Sequence, residues 1–189
     1  MKKITILILL ILTRSLYGQQ QTLTFTDGTE KTGLYEVKYS YLSDKPYIKS
    51  IETKEKYSIE EISSLKFPAQ GRYNYYKTIE ILHSSNDKNP KKTLGLLVYS
   101  SEKIELFRVS VANHSIKVSP YDIFYARKKN DSFAYNISYT YGIDALSLKR
   151  RLKEYFADCP DLSLKIDKNE IDKNNTFKIV QYYDANCGK

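Results

Sequence analysis

Tyr155-Phe156-Ala157-Asp158-Cys159-Pro160-Asp161-Leu162 lies between two stretches of helical period and decides how the chain is closed. Before it, Leu148, Leu152 and Phe156 recur at i, i+4 and i+8, which puts three apolar side chains on one helical face. Lys149, Arg150, Lys153 and Glu154 fall on the other sides, and Asp144 or Ser147 can cap the start. Pro160 ends this helix, because the residue before a proline avoids the helical region. A second helix is expected from Ile179, Tyr183 and Cys187 at the same spacing, with Asp172, Asn174 and Asn175 as caps and Gly188 at the exit. Cys159 then lies just past one helix and Cys187 at the end of the next. A bridge between them would tie the two helices together. The alternative is a pair of unpaired buried thiols, and the compartment decides between them.

The start of the chain speaks to the compartment. Met1-Lys2-Lys3 is positive, Ile4 to Leu12 is apolar except for Thr5, and Leu16-Tyr17-Gly18-Gln19 offers a cleavage site. This is the three-part layout of a secretory signal peptide over residues 1–18. The apolar run is far shorter than the ~20 residues of a membrane-spanning helix. Export to the periplasm, cell surface or medium favours a Cys159–Cys187 disulfide, since two cysteines are an even number in an oxidising setting. No transmembrane segment is expected after cleavage. The wide cysteine spacing is not a metal spacing, and His83 and His114 are the only histidines, so no metal or other cofactor is expected.

The 189 residues carry 30 Lys and Arg against 22 Asp and Glu, a net charge of +8. The charge is spread along the chain, as on a solvated surface. Nucleic-acid binding would need a basic stripe with aromatics on one face, so no nucleic-acid partner is expected. Tyrosine is the outlier, with 18 Tyr, 7 Phe and no Trp. Its ring packs in half-buried strands while its hydroxyl stays wet.

From residue 22 to 139 the pattern is that of strands. Thr22-Leu23-Thr24-Phe25-Thr26 alternates, Asp27-Gly28 signals a turn, and Gly33 to Tyr39 is read as the returning strand. A strand over 47–53, a capping-box turn at Ser58-Ile59-Glu60-Glu61 and a short strand over 64–67 follow. This order resembles the layout of small SH3-like barrels. Pro68-Ala69-Gln70-Gly71 marks a boundary. Further strands are expected over 72–83, 93–99, 103–111, 115–118, 121–128 and 133–139. The fold class is therefore α+β: an antiparallel β meander or roll, its N-terminal part SH3-like, followed by two C-terminal helices joined by a disulfide. The expected organisation is a signal at 1–18, a small β unit at 19–68, a meander at 72–141 and a stapled helical segment at 142–189.

No catalytic set stands out. Neither histidine sits in a motif. Ser63-Ser64-Leu65-Lys66, Ser84-Ser85-Asn86 and Lys31-Thr32-Gly33 match the pieces of a penicillin-binding serine hydrolase, but in the wrong order and in too short a chain. Ser100-Ser101-Glu102-Lys103 repeats the first piece elsewhere. Carboxylates cluster at Glu60-Glu61, Asp158/Asp161 and Asp167/Glu170/Asp172. The last lacks the central glycine of a calcium loop.

The Gly18-Gln19 signal end, the Phe25-Thr26-Asp27-Gly28 hairpin and Tyr155-Phe156-x-Asp158-Cys159-Pro160-x-Leu162 with Ile179-Val180-x-Tyr182-Tyr183-x-x-x-Cys187 together resemble a group of small exported proteins of Bacteroidota. That resemblance implies export and a stapled C-terminus. It implies no activity and no catalytic residues. The expected function is a non-enzymatic, β-rich contact module with a protein or envelope component as partner. The alternative is a glycan-binding protein or hydrolase, with a pocket where several tyrosines meet carboxylates such as Glu80 or Glu105.

Overall fold

The computed structural model describes residues 20–39, 46–82, 89–111, 121–138 and 145–187. The signal-peptide reading, His83, His114, Ser84-Ser85-Asn86, the strand expected over 115–118, the Asp144 cap and the Gly188 exit lie outside the described residues. The chain divides between Thr78 and Ile79 into two compact units.

In the first unit, β1 (Gln21–Phe25) and β2 (Glu30–Gly33) form the expected hairpin. Gly28 takes a φ of +85°, and the Asp27 carboxylate accepts hydrogen bonds from the Thr29 backbone N–H at 2.8 Å and hydroxyl at 2.7 Å. A side chain that satisfies its own turn backbone is why Asp-Gly sets the bend. The returning strand does not run on to Tyr39 as expected. It stops at Gly33, and β3 (Tyr35–Tyr39) joins a separate sheet with β4 (Pro46–Ser50) and β5 (Lys56–Ser58). The Gln21 side chain accepts the Tyr35 N–H at 3.1 Å, and the Leu34 carbonyl accepts from Ile51 at 2.8 Å. These bonds replace the ladder at the switch point.

Ser58 to Glu61 closes as the capping-box pattern predicts, with the Glu61 carboxylate accepting from the Ser58 N–H at 3.1 Å. Then β6 (Ile62–Ala69) pairs with β1, and Leu23 meets Leu65, both buried. The first unit's strands therefore pair in the order β3-β4-β5 and β2-β1-β6-β7, β7 being Arg72–Leu82. Residues 68–71 are the tip of the β6–β7 hairpin, not a linker. Gln70 and Gly71 take φ of 50° and 76°, and Ala69 pairs with Arg72. Two successive positive φ values match the twist of a tight hairpin.

In the second unit, β8 (Lys91–Ser100), β9 (Ile104–Val111), β10 (Tyr121–Lys128) and β11 (Ala134–Asn136) continue the meander. The short β11 pairs antiparallel with β10 and parallel with Ile81 and Leu82 of β7. The order β7-β8-β9-β10-β11 thus returns to its start, with the short β11 covering part of the edge of β10. Ile79, Ile81, Phe107, Val109, Ile123, Tyr125 and Ala134 fill one side. Ile104, Leu106, Ala126, Tyr135 and Ile137, in the opposite phase, face the helices.

A Cβ on Gly95 of β8 would sit 2.7 Å from the Ile79 Cδ1 and 3.0 Å from the Phe107 Cβ. The first neighbour can swing away, but the second is fixed to its backbone. Gly95→Ala is expected to cost about 1–3 kcal/mol through overpacking. A urea midpoint equal to that of the parent would remove this account.

Three helices follow, not two: α1 (Ala145–Tyr155), α2 (Pro160–Asp167) and α3 (Thr176–Asn186). Pro160 does follow the end of one helix, and it also opens the next. At the first helical position its missing N–H costs nothing, because that donor has no partner inside the helix. Leu148, Leu152, Phe156, Leu162, Ile166, Ile179, Val180 and Tyr183 are all buried in one core. The Asn175 side chain caps α3, accepting from the Lys178 N–H at 3.0 Å.

Candidate binding site

The two site residues expected from sequence are joined. Cys159 and Cys187 form a disulfide with their α-carbons 5.7 Å apart. Cys159 precedes α2 and Cys187 follows α3. Around this staple the acidic clusters are structural. Asp158 accepts from Lys128 at 2.6 Å and from the Tyr183 hydroxyl at 2.6 Å. Asp161 accepts from the Tyr182 hydroxyl. Asp167 lies 2.9 Å from both Lys149 and Lys153, and Glu170 lies 3.1 Å from Lys165. Asp172 accepts the Asn174 N–H at 3.0 Å. Among the described residues no His, Cys, Asp or Glu group could hold a metal ion. The Ser-x-x-Lys matches are structural too: Ser63 to Lys66 lie in β6, and the Ser101 hydroxyl accepts the Lys103 and Ile104 N–H groups at 3.1 Å in the β8–β9 turn.

Glu105, one of the carboxylates expected to meet tyrosines, pairs with Arg127 at 2.5 Å. Tyrosines also meet carboxylates in the first unit. A pocket of about 290 Å³ is lined there by residues of β2, β3, β4, β5 and the β4–β5 turn, including Lys31, Gly33, Tyr35, Ser50, Glu52, Glu55 and Tyr57. Tyr57 and Tyr35 are buried, so they present hydroxyl tips rather than ring faces. The Tyr57 hydroxyl donates to the Glu55 carboxylate at 2.5 Å. Lys31 lies 5.1 Å from the Tyr57 ring centroid and 5.5 Å from that of Phe25, a cation–π position.

The hydrogen bond from Tyr57, then Lys31, holds the Glu55 carboxyl below its usual range. That same bond, then burial, pushes the Tyr57 phenol up to about 12. Burial, then the neighbouring Tyr57, raises Tyr35. These shifts move each group away from neutrality, where a general acid or base works best.

The other face of the β2-β1-β6-β7 sheet is exposed or half-buried along its rows. Strand register places Thr32, Thr22, Lys66 and Tyr75 in one row, Glu30, Thr24, Ser64 and Lys77 in the next, and Pro68 beside Tyr73. Every one of these side chains is half-buried or exposed, and Tyr73 is 60% exposed. Lys66 holds its ammonium 4.1 Å from the Tyr73 ring centroid. Alternation in β1 and β7 signals this face in the sequence. The pocket has no such signal, because its carboxylates sit in a turn that only the folded chain brings to Lys31.

Among the described residues, no helix is long and apolar enough to cross a membrane. No protein-family model, curated protein or solved structure matches the chain.

Proposed function

We propose that the chain is an exported, non-enzymatic binding module that works by contact with a protein of the cell envelope. The observation that carries this reading is the accessible face of β2, β1, β6 and β7, with Tyr73, Tyr75 and Lys66 in adjacent rows. Tyrosine gives a large contact area for little side-chain entropy, and it is enriched in the cores of interfaces. Lys66 is already ordered against a ring, which lowers the entropic cost of docking. The disulfide supports export, since such bonds persist in oxidising compartments.

The test is site-specific photo-crosslinking in intact cells with the probe at Tyr75. A discrete adduct with an envelope protein is expected. It should fade when Tyr73→Ala and Lys66→Ala are introduced together, and it should be absent with the probe at Lys178 on α3. Recovery of the monomer alone would count against the proposal.

A further inference from the structure

We infer that the pocket beside Lys31 binds one uncharged sugar residue, independently of the accessible face. Its volume, about 290 Å³, lies at the lower end of the ~300–1,000 Å³ typical of small-molecule sites. That is room for one ring rather than a drug-sized ligand. The chemistry of the wall excludes charged ligands. Glu52 and Glu55 outnumber Lys31, which disfavours phosphates and carboxylates. Lys31 itself takes the cation position over the Tyr57 and Phe25 rings, which leaves no aromatic seat for an incoming ammonium.

Independent support comes from Tyr35. Its ring is buried, 7% exposed, with the hydroxyl at its tip. That hydroxyl stands at the pocket wall over Gly33, where an added Cβ would lie 3.3 Å from it. Tyr57, Lys31, Glu52 and Glu55 all act on it electrostatically. A sugar hydroxyl can donate and accept at once, so it can bridge the Tyr35 hydroxyl and a carboxylate. A site built this way favours ligands that bear the hydroxyl over those that lack it.

The experiment is a ¹H–¹⁵N titration of the full chain with glucose, galactose, mannose and N-acetylglucosamine, and with glucuronic acid and methylamine as charged controls. At least one neutral sugar is expected to shift the Gly33, Ser50 and Thr53 amides with millimolar affinity, and the controls are expected to leave them unmoved. Tyr35→Phe removes only the hydroxyl and should weaken binding about tenfold with its fold intact. Gly33→Ala, which pushes the Tyr35 ring, should weaken it too. The inference is overturned if no neutral sugar moves these amides, if a charged control binds as tightly, or if Tyr35→Phe binds like the parent. Loss of the Tyr75 adduct bears on the accessible face alone, so the two readings fail separately.

Discussion

Removing the disulfide by Cys159→Ala with Cys187→Ala is expected to destabilise the second unit by about 3–4 kcal/mol. The bridge spans a sequence separation of 28, and chain-entropy reasoning assigns a closed loop of that size roughly this amount. Most of the effect acts on the unfolded chain, which gains freedom when the link is cut. For a unit of this size the melting temperature should fall on the order of 15 °C. The helices should still form in the double variant, because Leu162, Ile166, Ile179 and Val180 remain buried against α1 and the sheet. Far-ultraviolet circular dichroism should therefore change little while the melt moves. Alanine is the better probe than serine, since Cys159 is 1% exposed and a hydroxyl there would need a partner. Thermal melts with and without reductant should place the reduced parent beside the double variant. A parent melt that reductant leaves unmoved, or free thiols in the native protein, would sink this account.

Much of the architecture is written in local patterns. Period-2 stretches such as Tyr121-Asp122-Ile123-Phe124-Tyr125 fold as β10, and the period of 3.6 through Leu148, Leu152 and Phe156 folds as α1. Export, read from residues 1–18, gave the reason to pair the two cysteines. The failures have physical causes. α2 was missed because its apolar positions, Leu162 and Ile166, are too few to show a period, and because Pro160 reads as a stop as readily as a start. The strand from Gly33 to Tyr39 is unbroken as a pattern, and only the Gln21 side chain and Ile51 reveal the switch between sheets at Leu34. The hairpin tip at Gln70-Gly71 reads as a boundary because a tight turn and a boundary share the same residue types. The pocket was invisible because Lys31 and Glu55 lie far apart in sequence, and no spacing rule connects them.

Lys128 is expected to be the costliest single side chain to lose outside the apolar core. It ends β10 and reaches into the helical layer, where its ammonium donates to the Tyr155 carbonyl at 2.6 Å and the Asp158 carboxylate at 2.6 Å. The rings of Tyr155, Phe156 and Tyr183 surround it, with centroids 4.7, 5.6 and 5.1 Å away. Its side chain is 18% exposed, while that of Asp158 is 49% exposed. A fully buried pair broken on one side costs about 3–5 kcal/mol. The exposure of Asp158 allows water to screen the orphaned carboxylate, which lowers the figure. Lys128→Ala should therefore cost about 2–4 kcal/mol, part of it lost packing of the lysine stem. Lys128→Met keeps most of that packing and should fall at the lower end. Acid supplies the second readout. Burial works to raise the Asp158 carboxyl, but hydrogen bonds from Lys128 and Tyr183 outweigh it and hold the group below its usual value. A carboxyl lowered on folding stabilises the native state above its unfolded pKa of about 3.9, and that stability is lost as pH falls through the lower folded value. The gap in stability between the parent and Lys128→Met should thus be full near pH 6 and shrink below about pH 4. Urea midpoints at pH 6 and pH 3 measure it. A gap that stays constant with pH would show that Lys128 acts through its stem and the rings alone.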